Sequence, residues 1–304
     1  MDATELLDII RGGETSTMQL KQELDEDKVA AEMIAMSNSK ERKLTDNAEI
    51  ARLFQQSGSL LADEMEVYGT SIDDIDEWLF AEYFKREFKR SFREKGLTYE
   101  EALKAKRVTR GGKATLAGLL FFGREPQAVK PALTVKVVSF FGNSLSALQY
   151  RSKPEDLRGT IPELFKQGMM FLKSSLRHAQ QGQGFNSIGI LEISQIALEE
   201  ILQNALLHRD YFKNAPIRIL IFDNRVEIIS PGKLPNNLTV DEVKYGNPLI
   251  RNNLMVAFGV NTLPFSGLGS GLRRSLELQP NIELVNDVKG EQFIVKIPRI
   301  EEIG

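Results

Sequence analysis

The 304-residue sequence contains no cysteine. Disulfides, cysteine-based zinc sites and a cysteine nucleophile are therefore excluded. It has two histidines, His178 and His208, too few for a histidine-rich metal centre. It has no excess of positive charge: 39 Lys and Arg stand against 42 Asp and Glu, a net charge of -3. No global field marks a nucleic-acid binder, although a local basic patch stays open. No apolar run approaches the length that spans a bilayer. The start, Met-Asp-Ala-Thr-Glu, lacks the basic region and apolar core of a signal peptide. A cytoplasmic protein with no membrane partner is expected. A G-x-x-x-x-G-K-[ST] phosphate loop is also missing, and Gly111 to Thr115 is only a superficial echo of one.

What is present is an ordinary globular composition, 42% hydrophobic and 27% charged, over a length that predicts about two domains. Residues 18–24 alternate as a strand, and a helix is expected over 27–36. Ser71-Ile-Asp-Asp reads as a capping box before a helix from Asp73 to Lys95. The C-terminal half of that helix is basic, with Lys85, Arg86, Lys89, Arg90 and Arg93. These side chains suit either contact with nucleic-acid phosphates or a solvated face that complements the helix dipole. Thr115 to Phe122 is apolar. Leu133 to Phe141 alternates as a strand, and a helix is expected from Thr160 to His178.

The helix expected over Glu192 to Asp210 carries Glu200, Asn204 and His208 at four-residue spacing, one row on one face. Ile196, Ile201, Leu202 and Ala205 or Leu206 turn the other way, toward a core. A carboxylate and an amide one turn apart suit a magnesium–phosphate site. Asn204 offers a carbonyl oxygen to a hard cation, and Glu200 can orient or deprotonate a water. The same pair on an exposed helix is also simply solvated. Downstream, Ile217 to Phe222 and Arg225 to Ile229 read as a β-hairpin about Asp223-Asn224, ending in Ser230-Pro-Gly-Lys-Leu-Pro235. Gly267, Gly269 and Gly271 then precede a helix with Arg273 and Arg274. Glycines there allow backbone N–H groups to approach phosphate, and the helix N-terminus favours anions; a structural turn is the other reading.

The order of these parts resembles the Bergerat (GHKL) ATP-binding fold, shared by gyrase, MutL and histidine kinases. More narrowly, Ala197-Leu-Glu-Glu-Ile-Leu-Gln-Asn-Ala-Leu-Leu-His-Arg-Asp-Tyr211 is similar to the hallmark of a bacterial and archaeal family. Its members join a Schlafen-type AlbA_2 domain to this ATPase-like domain and are often labelled RecG-related helicases or transcriptional regulators. Arg225 to Pro235, Ile250 to Asn253 and the linker Thr115 to Gly123 resemble the same family. The resemblance implies an α+β chain: a truncated AlbA_2-like region over 1–59, a charged helical connector over 60–113, and a two-layer α/β sandwich of Bergerat type, with a preceding linker strand segment, over 114–304. It implies ATP and Mg2+ as cofactors, with Glu200 as the water-polarising, catalytic carboxylate and Asn204 facing the metal. His208, Ser230, Gly232, Gly267, Gly269 and Gly271 would line the nucleotide, under a lid between Leu238 and Phe265. Ser230 departs from the pattern, because an aspartate there reads adenine in the best-known Bergerat ATPases.

In the first region, Met18 to Leu24 and Lys28 to Ser39 resemble the start of an AlbA_2 domain. They run straight into Lys40 to Ile50, which looks like the family's later text, so an internal deletion near Ser39 to Arg42 is expected. The winged helix-turn-helix that such regulators can carry after the ATPase domain is expected to be absent. Two functions stay open: an ATP-binding regulator that is also a slow Mg-dependent ATPase, with DNA and a second copy of the chain as partners; or a non-enzymatic nucleic-acid-binding or interaction module that keeps the fold as scaffold.

Overall fold

The computed structural model describes residues 60–146, 149–179, 189–235, 238–245, 250–264 and 271–299. The AlbA_2-like expectations, the proposed deletion, Gly267 and Gly269 lie outside these residues. By its internal contacts the chain divides after Leu60, and the elements below belong to the unit Leu61–Gly304.

Short 3-10 turns at Ala62–Glu64 and Ile72–Asp74 lead into α1 (Glu77–Phe88), a third turn at Arg93–Lys95 and α2 (Tyr99–Ala105). A hairpin of β1 (Thr109–Arg110) and β2 (Lys113–Ala114) precedes α3 (Leu116–Phe122) and α4 (Pro126–Val129). Then come β3 (Val135–Phe140), β4 (Tyr150–Ser152), α5 (Ile161–Ser175), β5 (His178–Ala179), β6 (Ile190–Leu191) and α6 (Gln195–His208). The chain continues through β7 (Ile217–Ile221), β8 (Arg225–Pro231), α7 (Val240–Lys244), α8 (Asn253–Thr262), α9 (Gly271–Leu278), β9 (Glu283–Asp287) and β10 (Gln292–Pro298).

A six-stranded sheet in the order β4-β3-β7-β8-β10-β9 forms one layer. Only β3 and β7 run parallel; every other pair is antiparallel. Strand alternation sorts the side chains. Val135, Val137, Ile217, Ile219, Val226, Ile228, Val295 and Ile297 join the main core with Leu164, Leu172, Leu198 and Leu202 of α5 and α6. Phe140, Leu220, Phe222 and Ile229 form a second cluster, in which the Phe140 and Phe222 rings stack at 4.9 Å. The fold class is thus the mixed α+β arrangement expected, a sheet with helices consistent with a Bergerat-like sandwich.

Several expected elements differ. The helix placed at Asp73 to Lys95 stops at Phe88, because Lys89 turns into the left-handed region (φ 57). Its start is Glu77, where the Asp76 carboxylate accepts from the N–H groups of Trp78 and Leu79. The apolar stretch after Thr115, for which no element was expected, is a helix with all seven residues buried and Thr115 as its cap. The helix expected to reach His178 ends at Ser175, and His178 pairs with Leu191 in a short two-stranded sheet. Gly111 and Gly112 form the turn of the β1–β2 hairpin with φ 53 and 78, so the phosphate-loop echo is a turn.

An aromatic cluster ties α1 to α3 and α8. Phe258 of α8 meets the rings of Tyr83, Phe121 and Phe122 at 5.3, 5.5 and 5.1 Å. Phe80 contacts Tyr83, Phe84, Phe92, Tyr99 and Phe122. Edge-to-face pairs of this kind each add about 0.5–1.5 kcal/mol beyond area burial. The 61–123 segment therefore shares one core with α8.

Candidate functional site

Helix α6 is the centre of the candidate site. Ser194 caps it, and apolar residues surround it: Ala197, Leu198, Ile201, Leu202, Ala205, Leu206 and Leu207 are all buried. Ile196, expected to turn toward the core, is 47% exposed, and Glu200 is 3% exposed, which removes the simply solvated alternative for it. The reason is that α9 packs along the side of α6 that carries Glu200.

The contact is close. A Cβ on Gly271, the first residue of α9, would overlap Oε2 of Glu200 and lie 2.7 Å from its Cδ. Glycine is required there because the carboxylate occupies the side-chain position. From the same helix Arg274 donates to Oε1 of Glu200 in a salt bridge. Glu200, Gln203, Asn204 and Leu207 share one face of α6 by helical spacing. Leu207 packs on Gly259 of α8, so this face looks toward α8 and α9. Gln203 is 1% exposed, and among the described residues neither its Nε2 nor its Oε1 has a hydrogen-bond partner. Buried polar groups are nearly always satisfied, and each exception calls for an explanation. Asn204 is half-buried beside it.

His208 is the last residue of α6. Burial first, and the nearby Arg251 charge second, lower its pKa to about 4, so the imidazole is neutral at physiological pH. The residues around it form a structural knot. Asn252 is fully buried and donates from Nδ2 to the carbonyls of Leu207 and Arg209, both at 2.9 Å, closing the C-terminus of α6. Arg209 donates to the carbonyls of Lys213 and Ala215 at 2.8 and 2.6 Å, shaping the entry to β7. Tyr211 donates its hydroxyl to Leu206 O at 2.8 Å. The His-Arg-Asp-Tyr run thus anchors the end of the helix.

Ser230 lies on β8, and its hydroxyl donates to Ala205 O of α6 at 3.4 Å. Gly232 follows with φ 98; a Cβ there would overlap that of Asp210 and lie 2.9 Å from Arg251 Nη1. The turn is held against α6 by Asp210 N–H donating to Pro231 O at 2.8 Å. The expected lid includes α8, whose Leu254, Met255 and Phe258 are buried in the core, so that part of the segment is anchored. Lys85, Arg86, Lys89, Arg90 and Arg93 are all exposed on or just beyond α1. Arg93 pairs with Glu77 at 2.9 Å.

Glu200, Asn204, Gln203 and Gly271 are therefore brought together, with His208 one turn further along; Ser230 and Gly232 lie on the β8 side of α6. The spacing pattern did not single out Gln203, Asp210, Arg251, Asn252 or the role of Arg274. For Gln203 a signal existed, an amide three residues after Glu200 in an otherwise apolar helix. Among the described residues no group of three or more His, Asp or Glu side chains is arranged to hold a metal ion, and no helix is long and apolar enough to cross a membrane. An orphaned buried amide and a half-buried asparagine on the Glu200 face fit the polar demands of a magnesium–nucleotide ligand.

No curated protein sequence matches the chain. Among solved structures, the DIP2311 protein from Corynebacterium diphtheriae superposes with a TM-score of 0.60 at 18% identity, over 83% of this chain and 50% of that one. The likeness is one of fold, and the chain spans half the length of that protein. Residues 214–286, from just before β7 into β9, match the family model described as "Putative ATP-dependent DNA helicase recG C-terminal". The match takes in Ser230, Gly232, the glycine run and Arg274 but not α6, and it gives this stretch the character of an ATPase-like domain of the RecG C-terminal type.

Proposed function

We propose that the chain is an ATP-binding regulatory protein, a slow Mg-dependent ATPase related to DNA-binding transcriptional regulators. The observation that carries this reading is the α6 face on which Glu200, Gln203 and Asn204 stand beside the glycine-led start of α9. The ATPase-like match over 214–286 supports it. In this reading the Asn204 carbonyl oxygen faces the metal, and the Gln203 amide gains a polar partner. The first turn of α9 offers N–H groups to phosphate. Glu200 orients water. Bound magnesium would neutralise phosphate charge. Thermal melting with ATP and magnesium tests the reading, since a ligand of the folded state raises the melting temperature by mass action. A magnesium-dependent rise that Asn204→Ala abolishes supports it. No rise at millimolar ATP in a folded protein rejects it.

A second reading, a non-enzymatic nucleic-acid-binding or interaction module, draws on two observations. Lys85, Arg86, Lys89 and Arg90 are exposed at the end of α1. Glu200 is engaged by Arg274, and Ser230 by the α6 backbone.

A further inference from the structure

The salt bridge between Glu200 and Arg274 is uneven. Glu200 has a side-chain exposure of 4%, whereas Arg274 keeps 51%. One carboxylate oxygen takes the guanidinium, and the other lies against Gly271. A buried carboxylate with a single cationic partner depends on it, because loss of that partner leaves an uncompensated charge. The arginine is less bound: its guanidinium has five donors, and half of the side chain remains in water. Arg274 is also placed one turn inside α9, on the side that meets α6. Its neighbour Arg273 is committed elsewhere, to Glu277 at 3.2 Å. Three residues after Glu200 on the same face of α6 stands Gln203, whose amide is buried and, among the described residues, unpartnered on both atoms. An additional polar group is therefore what this face lacks.

We propose that Arg274 reads the terminal phosphate of a nucleoside triphosphate, leaving Glu200 for the phosphate when the ligand enters. The proposal rests on the nucleotide-binding reading above. A terminal phosphate carries about two negative charges against one on the carboxylate, and the planar fork of arginine matches it bidentately. The exchange also frees Glu200, so the same movement that registers the triphosphate releases the carboxylate assigned to orienting water. Without a triphosphate, the pair keeps Glu200 neutralised. Arg274 is thus a specificity-determining residue that distinguishes ATP from ADP, and its pairing with Glu200 is the resting state.

Calorimetric titration of the full chain with Mg-ATP and Mg-ADP tests this, using the wild type, Arg274→Gln, Arg274→Lys and Arg273→Gln. The wild type is expected to prefer ATP. Arg274→Gln should lose about tenfold to a hundredfold in ATP affinity, the worth of a charged hydrogen bond, with ADP changed less than about threefold. Arg274→Lys should keep part of the preference, and Arg273→Gln all of it. Because Arg274→Gln leaves Glu200 unpaired, the double variant Glu200→Gln/Arg274→Gln serves as the folded control, with the same loss of ATP preference expected. Equal losses for ATP and ADP, or wild-type ATP affinity in the double variant, overturn the role of Arg274 while nucleotide binding itself stands. Absence of binding by the wild type and every variant rejects the nucleotide reading and this proposal together.

Discussion

Oδ2 of Asp63 accepts the backbone N–H of Leu254 at 2.6 Å, across 191 residues of sequence. It also accepts from Met255 at 3.2 Å, so a fully buried carboxylate caps the start of α8. Burial raises its pKa to about 6; the two backbone hydrogen bonds oppose the rise.

The consequence for stability runs against that of His208. Asp63 has a folded pKa above its unfolded value of 3.8, so its contribution is fully present below pH 3.8 and is lost as pH rises through 6. His208 has a folded pKa of about 4, below the ordinary 6.5, so its contribution is present above pH 6.5 and is lost as pH falls through 4. Between about pH 4.5 and 6 the two contributions oppose each other. Relative to the wild type, denaturation midpoints should climb more steeply with pH in Asp63→Asn and less steeply in His208→Gln. Variant profiles parallel to the wild type would contradict this assignment.

Asn252 holds two buried carbonyls at the end of α6. Asn252→Ala leaves both without their donor, at a cost of about 2–4 kcal/mol. Asn252→Asp should be at least as damaging, because it removes the donor and sets a carboxylate against two carbonyl oxygens. Urea unfolding checks both, and a loss below about 1 kcal/mol in either would show that the knot is dispensable.

Gly232 combines a positive φ with the overlap that a Cβ would make with Asp210. Gly69 has a comparable φ of 79 and nothing within 4 Å. Gly69→Ala should cost only the backbone strain, about 1 kcal/mol, and Gly232→Ala that cost plus a displacement of β8 from α6, about 2–4 kcal/mol. Similar losses for the two variants would mean that the close approach to Asp210 carries no weight.

On the second proposed reading, duplex DNA would be held at the α1 end by Lys85, Arg86, Lys89 and Arg90, which are exposed there. Four such cations give a log–log salt slope no steeper than about -4, without sequence preference. Lys85→Glu with Lys89→Glu should flatten the slope by about two and weaken binding to all sequences alike. A salt-independent affinity would place any DNA contact elsewhere.

The sheet was legible because its central strands alternate: Ile217, Ile219 and Ile221 face one way, and Val226 and Ile228 answer them across a two-residue turn. β9 escaped because, of its five residues, only Leu284 is buried, which leaves no period to read. Helix α6 misled in the opposite sense. Apolar residues on almost every side remove the contrast between faces, so Ile196 stands exposed where a core position was expected. Long-range partners lie beyond any local pattern. Nothing near Glu200 announces Arg274, 74 residues later, and nothing near Asp63 announces α8. The basic run after Lys85 was legible as charge, but not the break at Lys89, because a left-handed lysine at a helix end has no distinctive residue type.

Hydrogen–deuterium exchange of the full chain with and without Mg-ATP tests the central claim most directly, because it locates the ligand as well as detecting it. Slower exchange confined to peptides covering α6 and the first turn of α9, absent in Asn204→Ala, is the predicted result. Unchanged exchange there at saturating ATP, or protection limited to α1, would contradict a nucleotide site on the Glu200 face.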